Sequence, residues 1–596
     1  MKNRYHTIII GTGCAGYNAA DRLYDLGVRD IAIVTEGRLG GTSRNSGSDK
    51  QTYYKLSLCG NDGDSVREMA DTLYSGGGVM GEHALCEAAY STRCFMRLVE
   101  LGVPFPTNEY GEYAGYKTDH DPRSRATSCG PLTSRYMTEA LERSVCGKGI
   151  EIIDLQRVIK ILTDGGAVAG IACASTVTGE ISVIACQNVI LCTGGPAGIY
   201  KNTVYPKSQH GATGLAIDAG ASLSNMEEWQ YGIASTKFRW NLSGTYQQVL
   251  PRYICVDPEG NEREFLYDSL GAESLGLIFL KGYQWPFDTR KADGSSKVDL
   301  LVAEEIKKGN RVYLDFMHDP KGLENGFSVL PSEAYGYLER SGALLGTPIE
   351  RLAKMNIGAI ELYADHGIDL YTERLEIAVC AQHCNGGVTV DSHWQSDVVG
   401  LYVAGEAAGT FGVYRPGGSA LNSTQVGSLR AAEHIAKQTE EKQLFVKYPT
   451  PDVQYGRSNI VRIREELQVE MSRVADFDRS TDGMKALFAK VDKLCKQFFE
   501  TAMIDDRSQT AELFKLYDMV LTQRSVLSAM ICSAENVGTH GSALVDRMPD
   551  KSSGEMRRTR TLTQNAISYI EKTSPMPDPE LWFETLLARQ QKERRS

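Results

Sequence analysis

The first forty residues alternate between short apolar runs and turns rich in glycine. An apolar run ends at Ile8–Ile10, a helical pattern extends from Ala15 to Leu26, and a second apolar run covers Ile31–Val34. Gly27 follows the helical pattern at the position where glycine commonly ends a helix. These residues predict a strand, a tight turn, a helix and a second strand, which together begin an α/β fold.

Residues 441–596 show a different pattern, in which apolar positions recur at helical spacing. One stripe with i, i+3, i+4, i+7 spacing contains Met484, Leu487, Phe488, Val491, Leu494, Cys495 and Phe498. The segment that starts at Leu513 repeats this spacing. The pattern predicts a helical C-terminal domain whose apolar stripe packs against the rest of the molecule.

The tight turn near the N-terminus has the spacing of a dinucleotide-binding site. Gly11, Gly13 and Gly16 form Gly-x-Gly-x-x-Gly after the first apolar run, and Glu36 follows the second run. Glycine lets backbone approach a pyrophosphate, the helix N-terminus offers free N–H groups, and an acidic side chain accepts a ribose hydroxyl. Because a carboxylate also repels a 2′-phosphate, these residues favour FAD or NAD over NADP.

The stretch NVILCTGG, residues 188–195, predicts a further strand that ends in Thr193, Gly194 and Gly195. Taken alone it is equally a buried strand followed by an ordinary turn. In an α/β fold this turn would bring the chain back beside the same pyrophosphate.

Composition and charge narrow the class of protein. A chain of 596 residues is long enough for about two to four domains. Its net charge of -11, with acidic and basic residues interspersed, argues against nucleic acid and favours a small-molecule substrate. We expect a cytoplasmic protein without membrane insertion, because no apolar run approaches about 20 residues. The fourteen cysteines are spread singly, which predicts reduced thiols and no metal site.

Short motifs along the whole chain, taken in order, resemble the family of fumarate reductases, succinate dehydrogenase flavoproteins and L-aspartate oxidases. The motifs are GGTSRNSG at 40–47, ELGVPF at 100–105, AGASLSNMEEWQY at 219–231, GNEREF at 260–265, VYLD at 312–315, HCNGG at 383–387, AGE at 404–406 and RPGGSAL at 415–421. The resemblance implies a Rossmann-type FAD-binding domain at 1–235 and 366–440. It also implies an inserted α+β capping domain at 236–365 and the helical C-terminal domain at 441–596.

The resemblance further implies that the dinucleotide is FAD. In that family a glycine-rich helix N-terminus meets the isoalloxazine, and an acidic residue meets the ribityl chain. Covalent members attach the flavin through a histidine that this chain lacks at Thr42–Gly47, so we predict noncovalent FAD. The predicted cofactor-binding residues are Gly11, Gly13, Ala15, Gly16, Glu36, Gly41, Thr42, Ser43, Gly47, Val158, Thr193, Gly194, Gly405, Glu406, Ser419, Ala420 and Leu421.

On the substrate side, Arg415 and His383 match the family's substrate-binding arginine and histidine. A guanidinium fixes a carboxylate through two parallel hydrogen bonds. The residues alone also allow Arg415 to pair with a carboxylate of the protein and His383 to be a satisfied core histidine.

Three departures from the family make fumarate or succinate an unexpected substrate. Gly232 stands where a second substrate histidine is usual, and the segment for the second carboxylate is replaced by residues 235–253. The stretch 285–301 keeps only Arg290, Lys291 and Lys297 as basic residues, and we predict Lys297 as the proton carrier. Five aromatic residues lie nearby, and they either stack on a ring-bearing substrate or fill the core of the cap: Trp229, Tyr231, Trp240, Tyr283 and Trp285.

The sequence thus predicts an FAD-dependent oxidoreductase that transfers a hydride between flavin N5 and a small organic substrate. The leading hypothesis is reduction of an activated C=C bond, enoate-like rather than fumarate, or the reverse dehydrogenation. The alternatives are oxidation of a C–OH or C–N bond in a ring-containing substrate, and a flavoprotein subunit beside an iron–sulfur partner. An electron-transfer partner protein and a homo-oligomer are both compatible with the sequence.

Overall fold

The computed structural model describes residues 2–61, 63–438, 446–548 and 556–593. The strands are β1 (Arg4–Ile10), β2 (Ile31–Val34), β3 (Thr52–Tyr54), β4 (Ala126–Ser128), β5 (Glu151–Ile153), β6 (Gln156–Asp164), β7 (Ala167–Ser175), β8 (Ile181–Leu191), β9 (Leu223–Ser224), β10 (Trp229–Ser235), β11 (Trp240–Asn241), β12 (Arg252–Val256), β13 (Glu262–Arg263), β14 (Arg311–Asp315), β15 (Leu375–Cys384), β16 (Gly387–Val388), β17 (Leu401–Val403), β18 (Gln454–Tyr455), β19 (Asp478–Arg479), β20 (Met503–Ile504), β21 (Leu544–Val545), β22 (Arg557–Leu562) and β23 (Ile567–Lys572).

The helices, apart from five single turns of 3₁₀-helix, follow the same chain order. They are α1 (Cys14–Asp25), α2 (Thr42–Asn45), α3 (Val66–Ser75), α4 (Gly81–Glu100), α5 (Thr133–Gly147), α6 (Thr213–Asp218), α7 (Thr245–Gln248), α8 (Phe265–Leu270), α9 (Glu273–Lys281), α10 (Lys297–Lys307), α11 (Ser332–Arg340), α12 (Pro348–Asp365), α13 (Ser419–Ile435), α14 (Ile460–Val474), α15 (Thr481–Lys496), α16 (Phe498–Thr501), α17 (Thr510–Asn536) and α18 (Phe583–Glu593).

The main sheet has the order β5-β2-β1-β8-β7-β6, with β17 also paired to β8. Strands β5, β2, β1, β8 and β17 are parallel, and α1 and α13 pack against each other beside them. Strand β2 is buried along its whole length, as expected for a parallel strand covered on both faces. The predicted Rossmann-type α/β fold is confirmed, and β2 and α1 lie where the pattern indicated.

A second sheet, which we call the cap sheet, has the order β11-β10-β15-β14-β12-β13. The predicted capping segment supplies β11 to β14, while β10 and β15 lie in segments predicted for the FAD-binding domain. Gln230 of β10 is paired with His383 of β15 near one end of this sheet. The cap sheet therefore brings two distant parts of the chain to the same place. The boundary predicted at 440 and 441 lies outside the described residues.

The C-terminal segment is mainly helical, as predicted. Met484, Leu487 and Val491 of the predicted stripe are buried in the central core, and α15 packs against α17. The segment also contains strands that the sequence pattern did not predict. The hairpin of β22 and β23 pairs with β9, so the C-terminal chain adds strands to a small sheet that also contains β16.

The remaining structural expectations concern membranes, thiols and metals. Within the described ranges, no helix is long and apolar enough to cross a lipid bilayer. All fourteen cysteines are unpaired in the structure. In the same ranges no group of three or more His, Cys, Asp or Glu side chains is arranged to hold a metal ion.

Candidate active site

A cavity of about 710 Å³ runs from the turn after β1 to the inner edge of the cap sheet. This volume is within the usual range for cofactor and ligand sites, roughly 300–1,000 Å³. Most of the residues predicted to bind the cofactor line it: Gly11, Gly13, Ala15, Glu36, Gly41, Thr42, Ser43, Gly47, Val158, Thr193, Gly194, Gly405, Glu406, Ala420 and Leu421. These residues are spread over more than 400 positions of the sequence, and the fold brings them together in the wall of one cavity.

Two predicted residues lie behind the wall instead. Gly16 packs against the carbonyl of Gly11, so a side chain there would collide with the turn itself. Ser419 accepts a hydrogen bond from Arg415 and lines a small neighbouring cavity. Both support the wall from outside the main cavity.

Two helix N-termini meet this cavity, and in neither does the residue before the helix cap it; at α1, Oγ of Ser43 accepts a hydrogen bond from the N–H of Cys14. Helix α1 begins after Gly13, and α13 begins after Gly418, whose φ is +92°. A Cβ at Gly418 would lie 2.5 Å from Cγ2 of Thr52, so only glycine fits there. The free N–H groups and partial positive charge of both helices suit the phosphates and the pyrimidine end of a flavin dinucleotide. The residues present therefore fit FAD.

Glu36, which we predict to accept a hydrogen bond from the adenosine ribose, lines the cavity. It is ion-paired with Arg157, and its second oxygen is 3.2 Å from Nζ of Lys515. Burial alone would raise the pKa of Glu36, but these two cations outweigh burial and hold the pKa below its usual range. The carboxylate stays ionised and able to accept hydroxyl hydrogen bonds.

Arg415 is 7% exposed and lies on the cavity wall. Its guanidinium donates to Oε1 of Gln230 at 2.6 Å, to Oδ1 of Asn385 at 3.2 Å and to the hydroxyl of Ser419 at 3.4 Å. Among the described residues, no carboxylate lies within 4 Å of its nitrogens. Burial lowers the pKa of Arg415 to about 10, which still leaves it charged at neutral pH. The alternative of an ion pair within the protein is therefore not what the structure contains.

His383, at the end of β15, shares Asn385 with Arg415. Its Nδ1 donates to Oδ1 of Asn385 at 3.0 Å, because the Nδ2 group of Asn385 is used in donating to the carbonyl of Gly412. Burial and the Arg415 cation hold the pKa of His383 well below its usual range. The buried Nε2 has no hydrogen-bond partner, so this residue of the cavity wall keeps an unprotonated acceptor without a partner.

Glu406, predicted to meet the ribityl chain, lies 4.0 Å from Nε2 of His383. It accepts hydrogen bonds from the hydroxyl of Tyr205 and the backbone N–H of Cys384. Burial raises the pKa of Glu406. Its position joins the flavin part of the cavity to the part that contains Arg415.

The aromatic residues of the cap divide into two groups. Trp229, Tyr231 and Trp240 are buried core residues, while Tyr283 and Trp285 line the cavity. A Cβ at Gly232 would lie 2.5 Å from the ring of Trp285, so the indole covers the backbone where the family has a histidine. Three of the five rings therefore fill the core, and Tyr283 and Trp285 are the two that a substrate could contact.

Lys297 does not line the cavity. It is half-buried at the first position of α10. The cavity wall instead contains His120, from the loop between α4 and β4, which the sequence reasoning missed. Its ring lies 5.5 Å from that of Tyr414, next to Arg415 in the chain. Neither its loop position nor its neighbours in sequence distinguish His120 from a surface histidine.

His120 has two features of a functional residue. Its φ is +60°, a backbone conformation that is uncommon outside glycine. Its Nε2 is 3.6 Å from Oδ2 of Asp119, which in turn pairs with Nζ of Lys291 at 3.1 Å. Lys291 comes from the cap, so this chain of charges joins the cap to the wall of the FAD site.

The parallel sheet, the glycine turn and the two helix N-termini define a flavin dinucleotide oxidoreductase. The chain belongs to the FAD binding domain family, whose model matches residues 6–421. It is 25% identical to a subunit of the fumarate reductase (CoM/CoB) of Methanothermobacter marburgensis, over 89% of this chain and 93% of that protein. It is 27% identical to the L-aspartate oxidase of Agrobacterium fabrum, over 73% of this chain and 74% of that protein.

Solved structures show the same fold over almost the whole chain. A quinol fumarate reductase chain of E. coli matches with a TM-score of 0.72, 17% identity and 97% coverage of each chain. The adenylylsulfate reductase of Archaeoglobus fulgidus matches with a TM-score of 0.65, 15% identity and 97% coverage of each chain. The predicted family, the FAD cofactor and the class of FAD-dependent oxidoreductase are confirmed.

Proposed function

We propose that this flavoprotein reduces an activated C=C bond in a small carboxylate, or catalyses the reverse dehydrogenation. Bound FAD would supply or accept the hydride at its N5. The observation that carries the proposal is the buried Arg415 guanidinium, which has only neutral hydrogen-bond partners among the described residues. A buried cation with no carboxylate in direct contact is costly, and a substrate carboxylate would provide that contact.

Gln230 and Asn385 hold the guanidinium in one orientation, so Arg415 would position the carboxylate rather than only attract it. His383 would accept a hydrogen bond at Nε2 from a hydroxyl or amine of the substrate. Because its pKa is far below neutrality, His383 orients the substrate and does not supply a proton.

The cap wall supports a substrate with a single carboxylate. The side chains that the segment 236–365 contributes to the described cavity wall include no Lys or Arg. They are neutral and partly aromatic: Asn241, Ser243, Gln248, Tyr283, Trp285 and Pro286. A ring or other uncharged group would fit against this wall better than the second carboxylate of fumarate or succinate.

We assign the proton transfer that accompanies hydride transfer to His120. When a C=C bond is reduced, one carbon receives the hydride and the other receives a proton, which His120 would donate; in dehydrogenation it would accept one. Its position on the cavity wall beside Tyr414 supports this role. Lys297, the residue predicted from sequence, has no support from its position.

Two observations favour related alternatives. The unprotonated Nε2 of His383 would also accept a hydrogen bond from the group oxidised in a C–OH or C–N bond, and one relative is named as an L-aspartate oxidase. The relative from M. marburgensis is named as one subunit of a reductase, which favours an electron-transfer partner protein.

One experiment separates these functions. The full-length protein is reduced chemically without oxygen and mixed with ring-bearing enoates, with fumarate or with ketones, while the flavin absorbance is followed. We expect monocarboxylic enoates to restore the absorbance. Bleaching of the oxidised flavin by alcohols or amines, with no response to enoates, would support the oxidase alternative. A flavin that responds to none of these until an iron–sulfur protein is added would support the electron-transfer alternative.

A further inference from the structure

The C-terminal helical segment forms part of the cavity wall next to Glu36. Glu512 and Lys515 of α17 line the cavity, although they lie about 90 residues beyond the part of the chain that matches the FAD-binding family. We propose that Lys515 is a cofactor-binding residue that holds the adenosine half of FAD, so that the C-terminal domain completes the FAD site. The proposal depends on the FAD cofactor and not on the proposed reaction.

The first support is the position of Lys515 beside the ribose-binding carboxylate. Its Nζ is 3.2 Å from Oε2 of Glu36 and 2.6 Å from Oε1 of Glu512, and its side chain is 12% exposed. Glu36 is the carboxylate expected to accept hydrogen bonds from the ribose. Lys515 therefore lies within reach of the same part of the ligand and also fixes the direction of that carboxylate.

The second support is a buried arginine that faces the same carboxylate. Arg157 of β6 also lines the cavity, is 2% exposed and is ion-paired with Glu36. Its Nε and Nη2 atoms are buried without hydrogen-bond partners. Nη2 also lies 3.9 Å from Oδ2 of Asp518, so α17 places a second charged side chain next to this arginine.

The third support is that α17 is fixed firmly enough to present Lys515 accurately. Nη2 of Arg464 on α14 pairs with Glu512 at 2.8 Å. This ion pair fixes the carboxylate of Glu512, which in turn contacts Lys515. A Cβ at Gly214 of α6 would lie 2.7 Å from Cα of Asp518, one turn further along α17. The helix is thus packed directly on the FAD-binding domain at this point.

The test measures binding of FAD and of FMN, which lacks the adenosine half, to the full-length apoprotein. In Lys515→Met we expect the FAD Kd to rise about tenfold, which corresponds to one lost charge-assisted hydrogen bond. The FMN Kd should not change. Lys515→Arg, which keeps the charge, should restore most of the affinity. Lys496→Met is the matched control, because Lys496 lies on α15 of the same domain, is 66% exposed and pairs with Asp492.

Three results would overturn the proposal. They are an FAD Kd in Lys515→Met within twofold of the wild type, equal weakening of FAD and FMN, and equal losses in Lys515→Met and Lys496→Met. Thermal unfolding of each apoprotein shows whether a variant is folded. If Lys515→Met does not fold, the same comparison with Lys515→Gln decides the question.

Discussion

At the scale of single residues, Arg415 is the side chain on which the proposed chemistry depends most. We expect Arg415→Ala to lower the rate at which an enoate reoxidises the reduced flavin by about a hundredfold or more, because a buried charge-assisted pair is lost. Arg415→Lys should recover little, since an ammonium lacks the planar fork. The measurement is stopped-flow absorbance of the flavin. Unchanged rates with FAD still bound would contradict the assignment.

A second residue-scale prediction distinguishes His120 from Lys297. Burial lowers the pKa of His120; Asp119 and Asp288 oppose this effect, while Lys291 and Arg290 add to it. A histidine can donate a proton only while it is protonated. The rate of C=C reduction should therefore fall as pH rises, with a midpoint below about 6.5, the usual pKa of histidine. His120→Asn should abolish this dependence, and Lys297→Met should keep it. The reverse result would restore the role predicted for Lys297.

The sequence could predict residues of the site only where a motif names them. Arg415 and His383 belong to such motifs, and both line the cavity. His120 lies outside these motifs, and Gln230, although it lies in the motif at 219–231, had no predicted role, because both residues are about 150 positions or more from the partners that define their roles. Gln230 accepts a hydrogen bond from Arg415, and Lys291 pairs with Asp119, the neighbour of His120 in the chain.

At the scale of elements, the N-terminus of α13 depends on one glycine. We expect Gly418→Ala to raise the FAD Kd about tenfold, because a left-handed φ costs roughly 1–2 kcal/mol for an alanine and the new Cβ collides with Thr52. Gly309→Ala is the matched control, since Gly309 has a φ of +91° and open space around it. Fluorescence titration with FAD gives both values. Equal effects of the two changes would mean that backbone strain alone, and not the fit at α13, is responsible.

Elements were predictable where local pattern and burial agree. Strand β2 is a continuous apolar run buried on both faces, and α1 has a helical pattern that ends before a glycine. The hairpin of β22 and β23 was missed because its partner β9 has two residues and lies more than 330 positions earlier. A strand that short carries no pattern of its own, so only the folded chain reveals the pairing.

At the scale of the whole molecule, we expect the FAD to be held without a covalent bond. After acid precipitation of the purified protein, the flavin should remain in the supernatant. A yellow pellet would show a covalent attachment. Added FAD should also raise the unfolding temperature of the apoprotein, because it binds the folded state only.

Glu87 makes the stability of the whole molecule depend on pH. Burial raises its pKa to about 8, and one of its oxygens has no hydrogen-bond partner. The folded state therefore holds a proton that the unfolded state releases near pH 4.5, so stability falls as pH rises from about 4.5 to about 8. Glu87→Gln should reduce this fall by at least about 1.4 kcal/mol, measured by urea unfolding. Glu100→Gln is the control, because Glu100 is an exposed residue at the end of α4, the helix that contains Glu87. This change should leave the pH dependence of stability unchanged.

The shared strands of the cap sheet have a consequence for how the enzyme opens. Gln230 and His383 sit on β10 and β15, whereas Arg415 belongs to the loop before α13. Any motion that lifts the cap sheet to admit a substrate must therefore separate the guanidinium from Gln230 and from the histidine. Water would then hydrate Arg415, and the arrangement of Arg415, Gln230 and His383 would form again only when the cap sheet closed. Entry of the substrate and assembly of the catalytic groups would thus be one event.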